Sequence, residues 1–306
     1  MFRQAQDPGL GEKYSRQTKR IINKDGSFNI KKTGGGISSI NTYHYLINTS
    51  WLKFLLLVFA GFITVNIFFA LLYQLAGVEN LTNAAGQDGL QSFLNTFFFS
   101  VQTFATVGYG GIHPVGIVSN IISSLESMTG ILSFALATGL LYGRFSKPSA
   151  RIIFSEKAVV APFQDGKALM FRIANSRDNI LMEMEANAMI TFLDKSDSRF
   201  NRKYFPLKLQ IKFINFFPLP WTIVHPIDED SPLSGKTAAD LAELEAEVLI
   251  MIKGFDDSFS QHVITRSSYK HDEIDWNVKF VRAYSTDETG ETIVDLGKVS
   301  NTEPAV

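Results

Sequence analysis

The chain has 306 residues, enough for two domains of ordinary size, and a formal charge of −1 that offers no basic footprint for nucleic acid. It has no cysteine, so disulfides and thiolate zinc sites are excluded. Its 26 phenylalanines gather between Phe54 and Phe104 and again from Phe213 to Phe217.

Basic residues are absent from Phe54 to Gly143, whereas Arg3 to Lys53 holds nine and Arg144, Lys147 and Arg151 follow at once. By the positive-inside rule, both ends of this block face the cytoplasm and its centre lies outside. The pattern predicts a multi-pass protein of an inner or plasma membrane, crossing twice, with both termini cytoplasmic. Met1 to Gly36 is polar and glycine-rich, without a cleavable signal, and residues 1–38 are expected to form a flexible arm. Apolar or aromatic residues at 40, 43, 46 and 47 then predict a short interfacial helix over residues 39–49, or alternatively the first turns of the following span.

The first span reads from Trp51 to about Leu75, roughly 37 Å of helix against a hydrocarbon core of ~30 Å. Trp51 and Lys53 mark its cytoplasmic boundary, by simple anchoring or by contact with lipid headgroups. A polar stretch from Gly77 to Leu90 reads as an external turret. The Phe-rich segment from Gln91 to Thr103 is 13 residues long, too short to span, and predicts a re-entrant helix. It leads into Thr106-Val107-Gly108-Tyr109-Gly110. Gly108 and Gly110 are free to take positive φ, so that successive carbonyls face one way. Four copies around an axis would replace the water shell of a potassium ion, with the Thr106 hydroxyl at the inner mouth and Tyr109 packing outward. K+ at this filter is the one metal expected, and no cofactor is. The C-terminal end of the re-entrant helix carries about half a negative charge, which favours a cation in the cavity below.

The second span reads from about Ile117 to Phe145. Ser127, Ile131, Phe134, Thr138 and Tyr142 share a stripe, and in a fourfold assembly Phe134 and Tyr142 would form apolar collars that gate by dewetting. Packing of these aromatics on the first span is the competing reading. Gly130, Gly139 and Gly143 each lower helix propensity by roughly 1 kcal/mol, a pattern of close packing or bending, and Gly130 is expected as a hinge. Glu126 is the one acidic residue inside either span. It is expected behind the filter as a hydrogen-bonded or protonated carboxyl, or else in water at the outer mouth. Arg144, Lys147 and Arg151 follow at the level of inner-leaflet phosphates, where each contributes about 1 kcal/mol of attraction to anionic lipid. Positive-inside anchoring accounts for them equally well.

With 50–147 as the pore domain, residues 148–300 change to period two. Strands are expected over Arg151–Phe154, Ala158–Val160, Ala168–Ile173, Met182–Phe192, Leu207–Ile214, Glu247–Ile252, Val263–Tyr269, Val278–Tyr284 and Thr292–Leu296. Turns at Asp165-Gly166 and Thr289-Gly290, and one helical stretch from Ala238 to Glu245, argue for an antiparallel β-sandwich followed by a tail over 301–306. No glycine-rich nucleotide loop, metal-ligand cluster or triad points to an enzyme. The five histidines are scattered and read as structural.

From about Tyr43 to Leu296 the chain resembles an inward-rectifier potassium channel of the prokaryotic type. The filter alone says potassium channel. The more specific likeness lies in Trp221-Thr-Ile-Val-His-Pro-Ile-Asp-Glu-Asp-Ser-Pro-Leu233, similar to the family's W-T-x-x-H-x-I-D-x-x-S-P-L, and in Arg266-Ser-Ser-Tyr-Lys-His-Asp-Glu-Ile-Asp-Trp276, similar to its R-x-S-Y-x-x-x-E-I-x-W. The resemblance implies membrane α plus all-β architecture: two transmembrane helices with re-entrant pore helix and filter, then an immunoglobulin-like cytoplasmic β-sandwich, assembled as a homotetramer. It implies the selectivity filter at Thr106, Val107, Gly108, Tyr109 and Gly110, and cavity or bundle-crossing positions at Phe134, Thr138 and Tyr142. Ser258, Phe259, Ser260, Gln261 and His262 match the loop that forms a second, cytoplasmic constriction. Trp51, Lys53, Arg144 and Lys147 match the region that meets anionic phospholipid. Internal Mg2+ or polyamine is the implied blocker, but Phe134 stands where strong rectifiers carry an acid. Eukaryotic members hold a Glu/Arg pair behind the filter, and with no arginine near it Glu126 is the substitute here. The rival expectations are a weakly selective cation channel and a membrane-anchored sandwich that senses a ligand without conducting.

Overall fold

The computed structural model describes residues 8–10, 20–31, 33, 42–146, 151–194 and 201–305. The chain forms two compact units, one of residues 33–147 and one that joins 1–32 to 148–306.

In the first unit, α1 (Thr42–Asn48) is a helix of its own, separated from α2 (Trp51–Ala76) by an extended Ser50 at φ −62°, ψ 155°. The chain then runs through β1 (Leu81–Thr82), α3 (Gly89–Phe104), β2 (His113–Pro114) and α4 (Gly116–Phe145). Helices α2 and α4, of 26 and 30 residues, are long and apolar enough to cross a membrane. α3 starts two residues before the expected Gln91 because Asp88 caps it. The Asp88 carboxylate accepts the Gln91 N–H at 2.7 Å, and the Gln91 side chain accepts the Gln87 N–H at 2.8 Å. β1 and β2 pair antiparallel, and the Thr82 hydroxyl lies 3.1 Å from the His113 ring, which pins the segment after the filter to the turret.

The second unit is a sandwich. Its strands are β3 (Ile152–Phe154), β4 (Ala158–Phe163), β5 (Gly166–Asn175), β6 (Leu181–Asp194), β7 (Asn201–Pro206), β8 (Phe213–Phe216), β9 (Trp221–Ile227), β10 (Glu247–Asp256), β11 (Gln261–Lys270) and β12 (Ile274–Trp276). One five-stranded sheet has the order β12-β4-β5-β3 with β9 on β5, and the other β11-β10-β6-β7 with β8 on β6. Leu169, Phe171 and Ile173 of β5 share one core with Met184, Ala186 and Ile190 of β6 and Val248, Ile250 and Ile252 of β10. Alternation along β10 turns Leu249 to the opposite face, where it packs with Tyr204, Ile21 and Ile22. The unbroken apolar run in β10 is thus explained by burial on both faces.

Several expectations are corrected here. Residues 20–28 are a strap on the sandwich, not part of a free arm: Ile21 is 1% exposed and the Ile21 and Ile22 N–H groups donate to the buried Glu247 carboxylate at 3.1–3.4 Å. Much of the remaining expected arm, 1–38, lies outside the described residues. Leu207–Ile214 is a strand only from Phe213, because the chain there crosses between sheets: Leu207 N–H bonds to Ala188 O of β6 and Gln210 N–H to Val224 O of β9. The sheets are not wholly antiparallel, since β12 runs parallel to β4. The expected strand Val278–Tyr284 divides into β13 (Val278–Phe280) and β14 (Tyr284–Thr286), the latter paired with β15 (Thr292–Val294). β13 pairs with β16 (Thr302–Pro304), so the expected tail carries a strand.

Candidate pore, gate and membrane-surface site

At the end of α3 the backbone folds back on itself: the N–H groups of Val107 and Gly108 both point to the Gln102 carbonyl, at 2.8 and 3.3 Å. Beyond this turn φ is positive at Thr106 (55°), Gly108 (56°) and Gly110 (82°), at every second residue. Alternation between left-handed and ordinary backbone is what brings successive carbonyls to one side of a strand. Glycine takes such φ freely, whereas a β-branched threonine at Thr106 is strained. A cation held by the carbonyls would repay that strain. Tyr109, expected to pack its ring outward, is 81% exposed on this one chain.

Glu126 of α4 is fully buried and joins three helices. Tyr73 Oη of α2 donates to Glu126 Oε2 at 2.7 Å, and the Ser100 hydroxyl of α3 bonds to Glu126 Oε1. Ser100 Oγ is also 3.0 Å from Asn66 Oδ1 and 3.1 Å from Asn66 O. Next to Tyr73 on α2, Gln74 donates at 3.1 Å to Thr96 Oγ1, one turn before Ser100 on α3. Of the two placements considered for Glu126, this is the interior one. Sequence reasoning missed Asn66, Tyr73 and Ser100. Asn66 and Tyr73 are seven residues apart, two turns on one face of an otherwise apolar span, and that spacing is the signal that would have found them.

Gly130, expected as a hinge, instead lies where α4 touches the end of α3. A Cβ there would sit 2.1 Å from the Phe104 carbonyl oxygen, so only glycine allows the approach. Phe134, Thr138 and Tyr142 lie on one exposed stripe of α4, Phe134 at 77% and Tyr142 at 73% exposure. A cavity of about 730 Å³ between α2 and α4 is lined by Leu57, Phe62, Phe104, Thr106, Phe134 and Ala137 among others.

Of the residues expected at the lipid surface, Lys53 and Trp51 are exposed, and Lys147 lies outside the described residues. Arg144 differs. Its guanidinium donates to the carbonyls of Leu46 and Ile47, and to that of Thr49 at 2.8 Å, and lies 4.6 and 4.5 Å from the ring centroids of Trp51 and Phe54. Arg144 is therefore turned toward the end of α1, where the break at Ser50 leaves carbonyls without helical donors.

In the sandwich, Ser258, Phe259 and Ser260 fall in the turn joining β10 to β11, while Gln261 and His262 open β11. The buried Asp256 accepts the Ser258 N–H at 3.0 Å and the Asn179 side chain at 2.8 Å, which fixes the base of that hairpin. The two sequence motifs have structural work. His225 bridges Lys208 O and Ser231 Oγ at 2.7 and 2.8 Å, while Ser268 and Glu273 receive Arg20 of the strap.

Two membrane-length helices, a short helix and an alternating-φ segment between them, and a following β-sandwich define a two-span pore protein with a separate domain at its C-terminal side. The family model for the inward rectifier potassium channel C-terminal domain matches residues 152–305, and an ion channel model matches 54–147. The chain belongs to the inward rectifier potassium channel family, and is thereby a membrane protein. It is 36% identical over 286 residues to the inward rectifier potassium channel Kirbac3.1 of Paramagnetospirillum magnetotacticum, covering 91% of this chain and 94% of that one. It is 27% identical over 302 residues to the G protein-activated inward rectifier potassium channel 2 of Rattus norvegicus, covering 88% and 68%. A solved structure of Pseudomonas fluorescens alkylpurine DNA glycosylase AlkC, bound to DNA containing an abasic site analog, matches 63% of this chain and 49% of that one. Its TM-score of 0.20 and 9% identity carry no argument.

Proposed function

We propose that four copies of this chain form a potassium-selective pore of the inward-rectifier type, conducting K+ passively through Thr106, Val107, Gly108, Tyr109 and Gly110. The observation that carries this is the positive φ at Thr106, Gly108 and Gly110 in strict alternation. It supports a row of carbonyls aimed one way, which four subunits would close into rings able to replace an ion's hydration. The exposure of Tyr109 and of the Phe134–Tyr142 stripe supports further copies as their neighbours. Phe134 and Tyr142 gate the cavity as apolar collars, Thr138 lies between them, and the loop Ser258–His262 narrows the cytoplasmic vestibule. Anionic lipid is met by Lys53 and Lys147, with Trp51 at the interface, and internal Mg2+ or polyamine blocks weakly for want of an acid at Phe134. The charge pattern supports a plasma or inner membrane with both termini in the cytoplasm.

The test is ion flux through purified protein in liposomes. Potassium flux well above sodium flux is expected, and Gly108→Asp, which puts a charged β-substituted residue where φ is 56°, should abolish it. Equal sodium and potassium flux would point to a weakly selective pore, and no flux in the unaltered chain to a non-conducting sensor.

A further inference from the structure

Helix α1 has seven residues, too few to persist in water by itself, and its sequence holds no basic residue in the last turn to satisfy the terminal carbonyls. The missing donors come from another helix. Arg144, one residue before the end of α4, spreads its fork over three carbonyls at the end of α1: those of Leu46, Ile47 and Thr49. The guanidinium lies over the rings of Trp51 and Phe54, and Trp51 packs in turn, tilted, against Phe145 at 5.1 Å. Directly beside it Gly143 leaves room for α1: a Cβ there would lie 3.0 Å from Tyr43 Oη and 3.1 Å from Ile47 Cδ1. A bare position and a planar fork together make one seat.

We propose that Arg144 is a positioning residue that seats α1 on the inner end of α4, acting through the shape and donors of its guanidinium and not as a ligand for lipid phosphate. The charge also opposes the negative end of the α1 dipole. On the channel reading, which this proposal extends, the seat lies two residues beyond Tyr142. Loss of the seat then alters the end of the helix that carries the gate stripe.

Lysine separates the two roles, since it keeps the charge that a phosphate needs but cannot bond three carbonyls from one plane or stack between two rings. The experiment uses the full chain in liposomes of neutral lipid with increasing phosphatidylglycerol, comparing the unaltered protein with Arg144→Lys, Arg144→Ala and Gly143→Leu. Potassium flux is read together with hydrogen exchange of the α1 amides. Both Arg144 variants, and Gly143→Leu with every charge in place, should exchange α1 amides about tenfold faster or more, given the usual strength of charged hydrogen bonds. All three should change maximal flux while leaving the phosphatidylglycerol fraction for half-maximal response in place. Exchange at β10 should stay slow, showing that the variants fold. The proposal is overturned if Arg144→Lys keeps both α1 protection and unaltered flux, or if Arg144→Ala shifts the half-maximal lipid fraction with α1 still protected. Absence of flux in the unaltered protein would defeat the channel reading instead, and the exchange arm would still decide the seat.

Discussion

Glu126 has no basic partner within the bonds it makes, and its two oxygens are held by hydroxyls from two other helices. Its role is read from what removal would strand. Alanine leaves the Tyr73 hydroxyl buried and without its acceptor, at about 1–3 kcal/mol, while Ser100 falls back on Asn66. Glutamine keeps an oxygen for Tyr73 and adds a donor for Ser100. Glu126→Ala is therefore expected to lower the melting temperature and the potassium-to-sodium flux ratio together, with Glu126→Gln retaining most of both. Equal losses in the two variants would mean that a charge, and not the bonds, is what the site needs. Gly130 carries a related lesson. Its lack of a side chain reads equally as freedom to bend or as room for a neighbour, and the Phe104 carbonyl above it decides for room.

Among the elements, the strap and the sandwich show where reading from sequence stops. The spans, the re-entrant helix and the filter are legible because membrane length, absent charge and glycine spacing are local signals. The alternation that makes β5, β6 and β10 strands is local too. The strap is not, since Ile21 is covered by Tyr204 and Leu249 and bonded to Glu247, 226 residues later. Arg144 was legible as a basic residue at the membrane surface, but which group it bonds depends on where α1 breaks. At the strap, Arg20 donates to both Glu273 oxygens, at 3.0 and 2.6 Å, and Lys24 lies 3.4 Å away. Burial works to raise the Glu273 carboxyl, but the bonds from Arg20 and the Lys270 N–H and the nearby positive charges hold it below the ordinary carboxylate range. Glu273→Gln should weaken strap docking by roughly 1–3 kcal/mol, as loss of charged hydrogen bonds does. Limited proteolysis should then cut between residues 11 and 40 faster than in the unaltered chain. Unchanged cutting would place the hold in Ile21 and Ile22 alone.

For the whole molecule, residues 1–32 and 148–306 are grouped in one compact unit although 115 residues of the other unit, 33–147, lie between them in sequence. The chain that links the two parts of that unit carries α2 and α4, two helices long and apolar enough to cross a membrane. The sandwich should also respond to acid in a defined way. Burial pushes the His225 imidazole below its ordinary value, so the unfolded chain binds a proton near pH 6.5 that the folded one does not. Stability from this group is full above about pH 6.5 and declines as pH falls below it. The melting temperature of the full chain should drop between about pH 6.5 and pH 5, a range in which ordinary carboxylates with pKa near 4 stay charged. His225→Gln should flatten that drop, and an unaltered slope would assign it to other groups.

The two-sided burial of β10 also sets a schedule for synthesis. Ile21 leaves the ribosome 226 residues before Glu247, and at 5–20 residues per second the wait is roughly 10–45 s. Throughout that interval the Ile21 and Ile22 N–H groups lack their carboxylate acceptor, and Arg20 waits longer still, for Ser268 and Glu273. The last long apolar strand to be made is the one that lets the first part of the chain come to rest. A ribosome-stalled chain ending before β10 should accordingly carry an uncovered N-terminal segment open to chaperones.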